Sequence, residues 1–307
     1  MEEEVIYAYL KAGKAVAKAL KLAKLITRPG TKFIDIASLC EGEIIKHGCG
    51  LGFPANISLD AIAAHYSPII EDKTLVPNLG LLKIDCGAEY NGYIADAAIT
   101  INIGGSKGVY EDLTKASEAA LDAAIKTAKA GIPVATIGNE IYKAINRFSV
   151  KPIINLGGHG LSQYNIHDTP FIPNTPKGGD NSHLYQDRAY AIEPFTTNGH
   201  GQVKSGMETN IFEVGNLKKK QMKIEEKALA QQFKSKFKTL PFSPRAIDFI
   251  EGKTHINSIV NSFNRKGILN GYPILVEIAG GLVAQMEHTI IVLENGVHVT
   301  TVEDNDL

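Results

Sequence analysis

The chain contains no tryptophan, only three cysteines, and no apolar run approaching the roughly 20 residues that span a bilayer. Cys40, Cys49 and Cys86 form neither an even-numbered framework nor a CxxC pair. That excludes a disulfide-stapled secreted scaffold and fits a reducing compartment. An excess of one charge is also missing: 32 Lys and Arg face 33 Asp and Glu, so no global field draws the protein to nucleic acid or anionic membrane. The start, MEEEVIYAYLKAG, is acidic where a secretory signal would be basic, which predicts a cytoplasmic protein. What is present, 307 residues with 44% hydrophobic and 21% charged, suits one large globular domain or one domain carrying an insert.

Apolar residues recur at helical spacing from Val5 through Tyr9, Ala12, Val16, Leu20 and Ala23 to Ile26, and Pro29-Gly30 ends that helix. A second helix is predicted from Ile34 to His47. Residues 81–103 change period and form two strands joined at Asn91-Gly92, a strong hairpin signal. Helices follow from Val109 to Lys129 and from Ile137 to Phe148. The stretch beginning at Lys11 resembles the one beginning at Lys115: in each, a small-residue helix ends at a glycine (Gly30, Gly131) and an isoleucine (Ile36, Ile137) sits in the next helix. This predicts two similar halves about a pseudo-two-fold axis, with a site drawing ligands from both. From Leu217 the texture becomes lysine-rich. One helix is expected over LKKKQMKIEEKALAQQFKSKFK, a second over KTHINSIVNSFNRKG, as an insert between two core strands. The lysines fit a solvated helix face better than a nucleic-acid contact.

Asp85, Asp96, His159, Glu193 and Glu287 each sit in apolar or glycine-rich sequence: LLKIDCG, YIADAAI, NLGGHGL, YAIEPF and AQMEHTII. A carboxylate in a buried strand is costly unless paired or coordinated. Four of them with one imidazole predict a shared cation. This donor set suits Mn, Fe(II) or Co better than a structural zinc, and it has enough carboxylates to bridge two ions.

The hairpin IDCGAEYNGYIADAAITI, then GGHG, AIEPF and QMEHT, in that order, resembles the pita-bread metallopeptidases, which include methionine aminopeptidases, prolidases and aminopeptidase P. The resemblance covers nearly the whole chain. It implies an α+β pita-bread fold: a curved antiparallel sheet with two pseudo-symmetric helix pairs, here with a helical insert. The domains implied are a catalytic unit of 1–216 and 272–307 and an insert of 217–271. FPANISLDAIAAHYSP, YNIHDTPFIPN and the long insert resemble the type 2 methionine aminopeptidases in their archaeal form.

That resemblance implies two divalent ions (Co, Mn, Fe(II), Zn or Ni) held by Asp85, Asp96, His159, Glu193 and Glu287, with Glu193 also moving a proton. It makes His65 and His167 substrate-contacting catalytic residues, and Phe53, Ile166, Phe195 and Tyr272 the walls of a methionine pocket. Ile211 falls where the eukaryotic enzymes carry a further histidine. The expected partners are peptides and nascent chains with N-terminal methionine, with transient ribosome contact, no membrane, no specific nucleic acid and a monomeric state. Two rivals stand beside this: a prolidase-like dipeptidase, and a non-catalytic ribosome- or RNA-associated protein. His183, His200, His288, His298 and Cys86 are expected to take no part in the chemistry.

Overall fold

The computed structural model describes residues 1–177 and 181–303. In chain order these form α1 (Glu3–Ile26), α2 (Phe33–Lys46), β1 (Gly50–Leu59), β2 (Ile62–Ala64), β3 (Gly80–Tyr90) and β4 (Tyr93–Ile103). Next come α3 (Val109–Thr127), α4 (Val134–Ile145), β5 (Lys151–Pro152), β6 (Gly157–Ser162) and β7 (Asn165–Pro173). The remainder comprises β8 (Ala189–Ile192), β9 (Phe195–Thr197), β10 (Val203–Val214), α5 (Ile224–Phe237), α6 (Lys253–Arg265), β11 (Leu269–Glu277), β12 (Val283–Gln285), β13 (His288–Leu293) and β14 (Gly296–Val299). No helix among the described residues is long and apolar enough to cross a membrane.

Every strand pairing between these elements is antiparallel. One sheet runs β1-β3-β4 and another β14-β13-β8-β6-β7. The two are stitched where Glu287 exchanges backbone hydrogen bonds with Ala98 of β4, at 3.0 and 3.4 Å. Helices α1 and α2 bury Ala12, Val16, Leu20, Phe33 and Ile36 against β1, β3 and β4. Helices α3 and α4 bury Leu113, Ala120, Ile137 and Ile141 against β8 and β13. Two helix pairs on two sheet halves are the duplication that the glycine-to-isoleucine repeat predicts. The alanine-rich face of α1 lets it lie close to its neighbours, and Gly13 is the extreme case: a Cβ there would stand 2.1 Å from the Thr300 carbonyl oxygen.

Two helices differ from expectation by three residues or more at an end. Helix α4 starts at Val134, directly after Pro133, and ends at Ile145 rather than Phe148. The lysine-rich helix starts at Ile224, with only a 3-10 turn at Leu217–Lys219 before it. The Glu226 carboxylate accepts from the Lys223 backbone N–H at 3.0 Å, capping the helix there.

Residues between β10 and β11 bury their own apolar cluster of Ala230, Phe233, Phe242, Ile256, Val260 and Phe263. Phe237 and Phe242 stack with centroids 4.0 Å apart. Arg245 fastens this segment to α2 through two bonds to Glu41, at 2.8 and 2.9 Å, and one to Ser67 at 2.8 Å. Both charged side chains are largely buried, at 10% and 17% exposure. Arg245→Ala should therefore cost about 2–4 kcal/mol by leaving Glu41 buried without its partner, readable as a fall in the denaturation midpoint.

Candidate metal centre

The β3–β4 hairpin turns at Asn91 and Gly92 with φ of 53° and 85°, the left-handed pair a two-residue turn requires. Its register pairs Asp85 with Ala98 and Gly87 with Asp96, so the two aspartates are diagonal neighbours on one face. Strand β6 presents His159 opposite Ala191 of β8, and Glu193 follows the end of β8. Glu287 stands between β12 and β13 at the seam joining the sheet halves. The hydroxyl of Thr289 ties that seam, accepting from the Asp96 N–H at 2.7 Å and donating to the Asp96 carbonyl at 2.8 Å. The topology thus brings five residues from distant parts of the chain to one point.

Their geometry is tight. His159 Nε2 lies 3.5 Å from Glu193 Oε1 and 3.9 Å from Asp96 Oδ2. Asp96, His159 and Glu287 each offer a donor atom within 4.8 Å of the others. His159 Nδ1 lies 3.2 Å from the Gly160 carbonyl, which can only accept, so Nδ1 carries the proton and Nε2 keeps its lone pair toward the carboxylates. Burial pushes Asp85 up to about 7, opposed by hydrogen bonds from Asp96 and Gln285. Asp96, Glu193 and Glu287 are held well above the usual carboxylate range, first by burial and then by neighbouring carboxylate charge. Burial likewise takes His159 down to about 3.

Asp85 Oδ1, Asp96 Oδ1 and Glu287 Oε1 are buried with no hydrogen-bond partner. Among the described residues, no lysine or arginine pairs with any of the four carboxylates. Unpaired buried charge of this kind is strongly destabilising unless a cation answers it. Four carboxylates and one neutral imidazole fit hard or borderline divalent ions, and the oxygens exceed what one ion needs. Cys86 packs instead with Cys40 in the core under α1 and α2, away from this cluster.

The cluster opens on a cavity of about 390 Å³ whose lining includes Phe53, His65, Asp85, Asp96, His159, Ile166, His167, Glu193, Phe195, Tyr272 and Glu287, with Ile211 beside them. The His167 ring lies 4.8 Å from that of His159 and 5.8 Å from Tyr272, while His65 meets Tyr272 edge-on at 5.6 Å. His65 has φ of 67°, an unfavourable backbone for a non-glycine residue. Its Nδ1 donates to the Pro273 carbonyl at 3.2 Å, and burial takes its pKa down to about 4. His167 is also lowered by its surroundings, against the pull of Glu213. His200 lies exposed in a loop, and His288 Nδ1 bonds the Thr301 hydroxyl at 2.8 Å.

Sequence reasoning missed several neighbours. Gln285 Nε2 bonds both Glu193 at 3.3 Å and Glu287 at 3.4 Å. Its spacing of two from Glu287 was the available signal, since alternate strand residues share a face. Asn56 lies opposite Asp85, and Pro241 reaches the cavity from the segment between β10 and β11; neither leaves a local mark in the sequence.

The raised carboxylates set a pH dependence. Without metal these groups hold protons in the folded chain above their unfolded range near 4, and a cation must displace them. The stabilisation conferred by a divalent ion, measured as Tm with metal minus Tm without, should therefore increase as pH rises from about 5 through 7. Taking the difference removes the titration of groups outside the centre. A metal-induced shift independent of pH would contradict protonated carboxylates as the ligands.

The profile of metallopeptidase family M24 matches residues 8–294. The chain is 38% identical over 303 residues to the methionine aminopeptidase of Archaeoglobus fulgidus, covering 98% of this chain and 100% of the relative. Among solved structures, a thermophilic Arx1 superposes with a TM-score of 0.84 at 19% identity, over 98% of this chain and 91% of that one. The methionine aminopeptidase of Thermotoga maritima superposes with a TM-score of 0.72 at 22% identity, over 99% and 98%. These two likenesses establish the shared pita-bread fold. The sequence matches carry the rest: this chain belongs to metallopeptidase family M24 and, within it, to the methionine aminopeptidases.

Proposed function

We propose that the chain hydrolyses the first peptide bond of peptides and nascent proteins that begin with methionine and carry a small second residue. Asp85, Asp96, His159, Glu193 and Glu287 hold two divalent ions, and His65 and His167 meet the substrate. The supporting observation is a set of four buried or half-buried carboxylates and one imidazole lining an apolar-walled cavity, with no lysine or arginine paired to the carboxylates among the described residues. What divalent ions supply there, when bound, is acidified water and a polarised carbonyl, with water's pKa falling from about 15.7 to near 7.

The chain's own residues do the rest. Glu193 takes the proton of the attacking water and returns it to the leaving amine. His167, neutral at pH 7, donates an N–H to the scissile carbonyl as negative charge grows on it. His65 keeps its Nε2 free, because Nδ1 is committed to Pro273, and meets the first peptide unit. Phe53, Ile166, Phe195 and Tyr272 surround the methionine side chain, where aromatic edges suit a thioether. Ile211 keeps that wall apolar.

Residues 217–271 act as an insert subdomain on the catalytic unit of 1–216 and 272–307, a division supported by an apolar cluster whose buried members, Phe212 apart, all come from the insert. The exposed lysines of α5 suit transient contact with the ribosome as the chain emerges, and the protein works as a cytoplasmic monomer. A prolidase-like dipeptidase on the same fold would need a cation for the free carboxylate of its substrate, and among the described residues no arginine or lysine lines the cavity. Comparing Met-Ala-X and Met-Pro-X peptides with Xaa-Pro dipeptides on metal-loaded protein separates the two. Cleavage of the methionyl peptides alone is expected. Preferential cleavage of the dipeptides would reverse the assignment.

A further inference from the structure

Beside the site lies a second cavity, of about 490 Å³, that shares Ile166, His167 and Tyr272 with the first. The shared residues make it the continuation of the groove, and its wall also includes Asn165, Thr239 and Glu213. Three strands and the inserted segment converge there: Asn165 from β7, Glu213 from β10, Tyr272 from β11 and Thr239 from the turn after α5. An extended peptide advances about 3.3–3.6 Å per residue, so a chain that left the first cavity past His167 and Tyr272 and ran on into this groove would bring residues beyond its second into it.

The charge on this wall belongs to Glu213. Its oxygens accept from the Tyr272 hydroxyl at 2.6 Å and from Asn270 Nδ2 at 3.1 Å. Both donors are uncharged, so among the described residues no ion pair neutralises the carboxylate. A half-buried carboxylate answered only by neutral donors is a site for a cation of the substrate.

We propose that Glu213 and the groove around it form a downstream subsite that favours lysine or arginine at the third and fourth residues of the peptide and disfavours acidic ones. This rests on the aminopeptidase reading above. It makes removal of methionine depend on residues beyond the second, with Glu213 as the specificity determinant.

The test compares kcat/KM of the full metal-loaded chain on amidated Met-Ala-Lys-Lys-Ala, Met-Ala-Glu-Glu-Ala and Met-Ala-Gln-Gln-Ala. The lysine peptide should exceed the glutamate peptide by about three- to tenfold at low salt, the scale of a partly exposed charge pair. The ratio should fall toward one in 1 M salt, where the screening length is about 3 Å. In Glu213→Gln, which keeps an acceptor for Tyr272, the same ratio should also approach one. Using a ratio within each variant cancels any general loss of activity. If wild type cleaves the glutamine peptide but shows no lysine preference, or if the preference survives Glu213→Gln, the subsite is refuted alone. If wild type cleaves none of the three, the aminopeptidase reading fails and the subsite with it. The salt dependence is read on wild type, so it decides the question even if the variant does not fold.

Discussion

Asp96→Ala should lower kcat/KM by at least about 10³, more than removal of a single oxyanion donor, because it takes a ligand from the middle of the metal centre. Asp96 is the group through which the cluster is connected. It lies diagonally across the hairpin from Asp85, feels the carboxylate charge of Asp85 and Glu193, and stands 3.9 Å from His159 Nε2. The same substitution should move stability in opposite directions with and without metal. In metal-free protein it removes a buried carboxyl group with an unpartnered oxygen, whose burial the fold must support, so Tm should rise. With metal it removes a ligand, so the metal-induced gain in Tm should shrink. Full activity in the variant would remove Asp96 from the ligand set. A Tm lowered in the metal-free state would show that the carboxylates support the fold rather than strain it.

His167→Ala should lower kcat by roughly 10²–10³ while leaving metal content unchanged. The distinction is geometric. His159 sends its Nε2 into the carboxylate cluster, whereas His167 stands one ring further out, 4.8 Å from His159 and against Tyr272. Its loss should fall mainly on kcat, because a donor to the developing oxyanion acts most strongly in the transition state. Metal analysis of the purified variant checks the other half. Loss of metal together with activity would make His167 a ligand and would require a different oxyanion donor.

Much of this centre was legible because its residues break a local rule. Asp85 and Asp96 stand in strands whose neighbours are apolar, and the hairpin between them is encoded by Asn91-Gly92, so their shared face follows from strand alternation alone. His159, Glu193 and Glu287 were legible one by one as polar residues in apolar or glycine-rich strand sequence. Their meeting point came only from the family resemblance, because it depends on pairings between β6, β8 and β13 that no local pattern encodes. The same limit hid Asn56, placed opposite Asp85 by β1–β3 register, and Pro241, brought in by the insert. Gln285 was within reach of the alternation rule and went unnoticed beside the charged Glu287. The helix predicted from Leu217 starts instead at Ile224, where the Glu226 carboxylate caps the Lys223 N–H, a signal that lies inside the lysine-rich run rather than at its start.

Specificity is where the centre and the cavity must act together. Burial of an uncompensated charge is far costlier than a change of one methylene in an apolar pocket, which is worth about 1–3 kcal/mol. Leucine in place of methionine should therefore be cut more slowly but still cut, and lysine scarcely at all. On the proposed reading the free amino group also lies against the metal centre. The most direct measurement is kcat/KM of the metal-loaded protein on Met-Ala-X, Leu-Ala-X, Lys-Ala-X and acetyl-Met-Ala-X peptides. The account predicts efficient cleavage of the first, reduced cleavage of the second and negligible cleavage of the last two. Cleavage of Lys-Ala-X or acetyl-Met-Ala-X at the rate of Met-Ala-X would contradict it.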